Sequence, residues 1–242
     1  MFIPLHDVNR LKYIRTPYVN YGLIALNVGI WLLSSAVSTE ESAALAALGL
    51  GYIPAVQYDL ASLSPELELV PSAFTYVTYA FLHLDFWHLA SNMIFLWVFG
   101  DNVEDALGHM RYLVFYLLCA VAGALMHGIA MPNSDGPLIG ASGAISGVVA
   151  AYFLLHPRVR VWVLVFMRIP LPLPAYIPLL LWIAQQFVLM FISEFDDVSW
   201  AAHVGGILAG VLLIIVMRRN GVPLFDKNLR VLEAPDNQAN EH

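Results

Sequence analysis

Apolar residues in this chain cluster into blocks long enough to cross a bilayer, and polar or proline-rich stretches separate them. The first block covers 19–37 and is closed by Thr39-Glu-Glu-Ser42. The second covers 74–99, the third 112–129, and the fourth starts near Ser142 and ends before His156-Pro157-Arg158. A fifth spans 176–192 and a sixth 200–217, closed by Arg218-Arg219. The pattern predicts six transmembrane helices. Between the first and second lies a long, partly apolar segment. A short helix over 43–50 is expected there, then breaks at Gly51, Pro54, Pro65 and Pro71, with the whole loop half-sunk in the membrane interface. The residues over 100–108 read as an acidic linker, 132–139 as a polar turn, and Pro170, Pro172 and Pro174 as an irregular connection. The expected fold class is an all-α polytopic membrane protein. Its parts are an N-terminal segment (1–18), a six-helix domain (19–218) and a polar tail (219–242).

Composition agrees with the pattern. With 60% hydrophobic and 12% charged residues, a chain of 242 residues has too little interior to hide its apolar surface from water. The net charge of −7, without a basic stripe, argues against a nucleic-acid partner. Cys119 stands alone inside an apolar block, which excludes a disulfide framework or a CxxC metal signature. Charge also orients the helices. All 11 Lys and Arg residues fall in alternate segments (10–15, 111, 158–168 and 218–230), and the intervening loops have none. With six spans this is the positive-inside pattern, with both termini cytoplasmic. Residues 1–17 lack the features of a signal or transit peptide. The expected location is the inner membrane of a prokaryotic cell.

Candidate chemistry lies at one depth. Ser142 is 16 residues before Arg158, His203 is 15 before Arg218, and His88 is 13 before Asp101, on three spans of the same direction. At about 1.5 Å per residue, all three sit roughly 20–24 Å above the inner charged boundary. Ser142 lies in Gly140-Ala-Ser-Gly-Ala-Ile-Ser-Gly147, whose small residues leave its hydroxyl and the first helical N–H groups uncovered. Gly206-x-x-x-Gly210, just after His203, favours close packing on the small face of the fourth span at Gly143 and Gly147. That packing brings a base within reach of a serine that needs one. No Asp or Glu lies within spans four to six, so a dyad is expected rather than a triad. His88 and Asn92, four apart on one helical face, would suit oxyanion donors together with the Ser142 amide. His83 is expected to be structural, holding the long first loop. His127 reads as an interfacial residue without a role. The histidines lack a shared ligand spacing, so no metal is expected. Span five, with Trp182, Phe187 and Phe191 but no close-packing glycine, should be the most loosely attached helix.

His83-x4-His88-x3-Asn92, Gly140-Ala-Ser-Gly143 and Ala202-His203-x2-Gly206-x3-Gly210 together resemble the rhomboid intramembrane serine proteases, as does Gly100-x3-Glu104. The resemblance implies Ser142 as nucleophile and His203 as general base. It implies His88, Asn92 and the Ser142 backbone as oxyanion-hole donors, with His83, Gly140, Gly143, Gly206, Gly210 and Glu104 in structural roles near the site. It also implies peptide-bond hydrolysis in or near transmembrane segments of single-pass or polytopic substrates, in the lipid bilayer and without a cofactor. Two positions depart from some members: Phe74-Thr75 replaces a Trp-Arg pair, and Ser146 replaces an aromatic residue that flanks the catalytic histidine. At the second position the histidine would lose a stacking surface and gain a hydroxyl contact. A transporter or channel that binds a solute with the same polar residues, and a rhomboid-like protein that binds clients without cutting them, are the rival readings.

Overall fold

The computed structural model describes residues 2–37, 40–165, 168–192 and 198–226; the acidic residues at 194–197 and the tail past Asp226 lie outside them. Among the described residues nine α-helices occur: α1 (Tyr18–Val37), α2 (Glu40–Leu50), α3 (Pro54–Gln57), α4 (Thr75–Thr78), α5 (Phe86–Leu107), α6 (His109–Ala130), α7 (Ser142–Leu155), α8 (Tyr176–Ile192) and α9 (Trp200–Met217). Of the expected spans, α6 and α9 are long and apolar enough to cross a bilayer, while α7 and α8 are apolar but shorter. At 14 residues, α7 rises only about 21 Å. It is enclosed by protein, packing against α5, α6, α8 and α9, and nearly every residue from Gly143 to Tyr152 is buried.

Three strands correct the all-α expectation: β1 (Phe2–Asp7), β2 (Arg160–Val165) and β3 (Ile169–Pro174) form an antiparallel sheet in that order. In β2, Val161 and Val163 alternate with more exposed residues and are fully buried, as a half-covered strand requires. β3 is an edge strand. Pro170, Pro172 and Pro174 lie opposite Leu164, Trp162 and Arg160. Proline has no N–H to donate, so it fits where that side of the strand has no neighbour. The proline period read as an irregular connection is therefore the period of a pleated edge.

The second span also differs from expectation. It does not begin at 74: short helical turns cover Ser72–Phe81, the chain extends at Leu82, and α5 starts at Phe86. Asp85 caps it, its Oδ1 accepting from Trp87 N (2.7 Å) and His88 N (2.9 Å). At its other end α5 runs through the expected acidic linker to Leu107, and Gly108 (φ 83°) makes the break. The acids there act as caps for distant chain. Glu104, fully buried, accepts from Val19 N and Asn20 N at the start of α1. Asp105 accepts from the N–H groups of Lys12, Tyr13 and Ile14.

The cation-bearing segments meet at one end of the bundle. Lys12 pairs with Asp226, Arg219 donates to Tyr13 O, and Val8 N donates to Arg160 O. The intervening loops meet at the other end, where Tyr52 bridges Leu138 and Ala55 N donates to Ser134 O. The Phe74-Thr75 position holds its loop with hydroxyls: Thr75 Oγ1 donates to Ser72 O (2.7 Å) and accepts from Gln57 Nε2 (3.1 Å).

Glycines set the α7–α9 distance. A Cβ on Gly206 would collide with the Gly143 carbonyl, and one on Gly210 with the Gly147 backbone. Gly123 of α6 joins the contact, since its Cβ would lie 3.0 Å from Ala202 O and 3.4 Å from Gly143 Cα. Gly206→Ala should therefore force α7 and α9 apart, lowering the melting temperature by several degrees or abolishing folded yield. Gly22→Ala, with nothing within 4 Å of the added methyl, should be neutral or slightly stabilising. Equal melting temperatures for the two variants would refute the tight contact.

Asp7 supplies a second expectation. Its Oδ2 accepts from Tyr152 Oη (2.6 Å) and Asn102 Nδ2 (3.1 Å). Burial pushes its carboxyl up from 3.8 to about 7; the Tyr152 hydrogen bond opposes this and Asp101 adds to it. The folded state thus holds a proton that the unfolded chain releases. Stability from this site is complete below the ordinary value and declines as pH rises through about 7. Asp7→Asn keeps an acceptor and removes the titration. Melting curves from about pH 5 to about pH 8 should show the wild type losing stability relative to Asp7→Asn, and a constant difference would contradict the assignment.

Candidate active site

Ser142 is the first residue of α7, partly exposed, and preceded by Gly140 with φ 119°. That backbone suits glycine alone. A Cβ there would also lie 2.6 Å from His88 Nε2, so the His88 ring rests directly on the Gly140 backbone. Gly140 N is fixed by donating to Tyr79 O (2.9 Å), and Tyr79 Oη donates to Ala120 O on α6 (2.7 Å). Among the described residues no side chain caps α7, which leaves its first N–H groups beside Ser142 without a side-chain acceptor.

His203, in the first turn of α9, is buried. Its chain neighbour Ala202 and the Ser142 neighbour Gly143 face one another: a Cβ on Gly143 would lie 3.5 Å from Ala202 O. The α7–α9 contact thus brings serine and histidine to one place. Among the described residues no hydrogen bond joins Ser142 Oγ to His203. Ser146 does not supply the expected hydroxyl to His203 either; its Oγ turns back to donate to Ser142 O (2.6 Å). The lost stacking surface comes instead from α8 and α9. Trp182 stacks on the His203 ring (centroids 6.2 Å, 29°) and Trp200 meets it edge-on (5.8 Å, 86°). His203 Nδ1 lies 2.8 Å from Gln186 Oε1.

Asn92 lies one turn past His88 on α5, buried, and among the described residues its Nδ2 has no hydrogen-bond partner. A buried amide donor left open costs free energy unless something arrives to accept from it. His83 lies before α5 rather than on it. Its ring packs edge-on against His88 (5.1 Å, 68°), and neither nitrogen bonds to the first loop it was expected to hold. Gly143, Gly206 and Gly210 lie in the α7–α9 backbone contact beside Ser142 and His203. Glu104 does not: 16 residues from His88, it lies about 24 Å away along α5. His127 has a partner that periodicity did not reveal. Its Nδ1 is 2.7 Å from Ser199 Oγ, which also accepts from Ala202 N and so anchors the start of α9.

The sequence matches the Rhomboid domain family over residues 71–220, more than half of the chain. This chain belongs to the rhomboid family. Among its relatives, Rhomboid protein 1, mitochondrial, of Saccharomyces cerevisiae is 36% identical over 154 residues, covering 61% of this chain and 42% of that protein. RHOMBOID-like protein 12, mitochondrial, of Arabidopsis thaliana is 31% identical over 148 residues (54% and 43%). Presenilin-associated rhomboid-like protein, mitochondrial, of Homo sapiens is 28% identical over 133 residues (54% and 34%). The chain spans less than half the length of these rhomboid relatives. All three are eukaryotic and carry "mitochondrial" in their names, so the expected prokaryotic inner membrane finds no support among them.

Proposed function

We propose that this rhomboid is an intramembrane serine endopeptidase. The observation that carries the reading is the position of Ser142: flanked by small residues at the start of α7, it lies across the glycine contact from His203. In this mechanism His203 takes the Ser142 proton as Oγ attacks a substrate carbonyl, and later returns it to the leaving amine. Negative charge forming on the carbonyl oxygen is met by Asn92 Nδ2, the His88 side chain and the Ser142 N–H. The open Asn92 donor favours this, because such a group is idle until an oxyanion forms. His83 supports the His88 ring. Substrates are single-pass or polytopic membrane proteins with small or helix-breaking residues near the scissile bond, since a helical carbonyl must be freed before attack. The protease domain runs over 19–218.

A fluorophosphonate probe on the detergent-solubilised protein tests this reading. It should label Ser142 in the wild type, with labelling lost in Ser142→Ala and His203→Ala, and the double variant should be no worse than either single one. Asn92→Ala should lose about 10²–10³-fold in rate, one donor of a set being removed. Absence of wild-type labelling, or peptide cleavage by Ser142→Ala, would end the assignment.

For orientation we propose six spans with both termini cytoplasmic, as the confinement of cations to one end of the bundle suggests. A single cysteine at Ser134 should then react with an impermeant reagent from outside the cell or organelle, and one at Asn220 should not. The reverse result would invert the topology.

A further inference from the structure

Gln186 belongs to a helix that has little use for a polar side chain. Of the 17 residues of α8 only Pro178, Leu179 and Gln186 are buried, and most of the rest are apolar. A buried amide in such a helix is expensive unless all its groups are satisfied. Here both ends of the amide are engaged, and together they determine a proton position.

Gln186 Nε2 lies 3.0 Å from the Trp182 carbonyl. A carbonyl oxygen only accepts, so the nitrogen must be on that side and Oε1 must face His203. Oε1 also only accepts. The contact of 2.8 Å between it and His203 Nδ1 therefore requires the proton on Nδ1. A neutral imidazole protonated there carries its free lone pair on Nε2. That is the tautomer a base needs when its Nε2 faces the nucleophile; the other would present an N–H and accept nothing. Trp182, one turn before Gln186, lies against the face of the same ring.

Resting on the dyad reading above, we propose that Gln186 is a positioning residue that holds His203 in the tautomer and orientation competent for proton transfer. The third position of the site is thus filled by an amide, which is why no carboxylate appears in spans four to six. An amide gives up the charge stabilisation a carboxylate offers to the imidazolium, but it spares the bundle a buried ion. The imidazole is held from two helices: α9 supplies its backbone and Trp200, and α8 supplies Gln186 and Trp182.

The test uses the full chain in detergent and measures how fast a fluorophosphonate probe labels Ser142 across probe concentrations. Gln186→Leu should lower the maximal labelling rate about 10- to 100-fold, the loss typical when the group orienting a working imidazole is removed. The half-saturating probe concentration should not change, because Gln186 does not touch the probe site. Gln186→Glu, which keeps the accepting oxygen, should recover most of the rate; a merely structural role gives no reason for that recovery. Gln186→Met, close to glutamine in volume, stands in if the leucine variant does not fold. A folded Leu or Met variant labelled at the wild-type rate overturns the inference, and so does a Glu variant as slow as Leu; both leave the wild-type serine reactive and the protease reading intact. An unlabelled wild type would instead remove the protease reading and this inference together.

Discussion

Backbone against backbone, α7 on α9, is the contact on which the rest depends. In a bilayer, apolar side chains gain little by leaving lipid for protein, so helices associate through close van der Waals approach. Gly143 and Gly147 on one side, and Gly206 and Gly210 on the other, remove every Cβ that would hold the two axes apart. Ser142 precedes the first of these glycines by one residue, and His203 precedes the third by three. The packing that assembles the bundle therefore also sets the separation of serine and histidine. Such a site needs no flexible loop to bring its two halves together.

The two ends of the molecule treat polar groups differently. At the cation-bearing end Glu104, Asp105 and Asp7 are saturated with hydrogen bonds from chain far away in sequence. That end is tied. At the serine end, among the described residues, Asn92 Nδ2 and both nitrogens of His83 have no partner and the start of α7 has no side-chain cap. Open donors reduce stability, and the tied end offsets that loss while lying well away from the chemistry.

Much of this was legible in the sequence. Apolar block length reports directly on a lipid-exposed helix, so α8 and α9 fall where the blocks predict and α1 falls within a residue. The GxxxG spacing names its partner helix because little else in the chain could accept so close an approach. What was hidden depends on partners distant in sequence. Acids over 101–105 look like a solvated linker until they cap N–H groups more than 80 residues away. Three alternating prolines look like irregular coil until a strand lies along one side of them. Gln186 stands out as an amide in an apolar run and Trp182 as a bulky ring, but nothing local says what they serve until His203 is placed beside them. The resemblance to rhomboids grouped Ser142, His203 and Glu104 near one site; the fold sets Ser142 and His203 beside the same glycine contact and puts Glu104 toward the far end of α5.

The sheet gives α8 a fixed pivot. Where β3 hands over to α8, Ala175 N donates to Val159 O and Tyr176 N to Pro157 O, both at 2.8 Å, and Ala175 is fully buried. The foot of the helix is clamped while most of its shaft is not. Gln186 stands 11 residues above the clamp, a lever arm of about 16 Å. Over that arm a lean of roughly 10° carries its oxygen about 3 Å, beyond any hydrogen bond. On the protease reading proposed above, a lean of α8 during substrate entry would unhook the imidazole, and the return of the helix would rehook it. On that reading the junction of β3 with residues 157–159 is the hinge pin of a safety catch, which would arm the serine only behind a closed door.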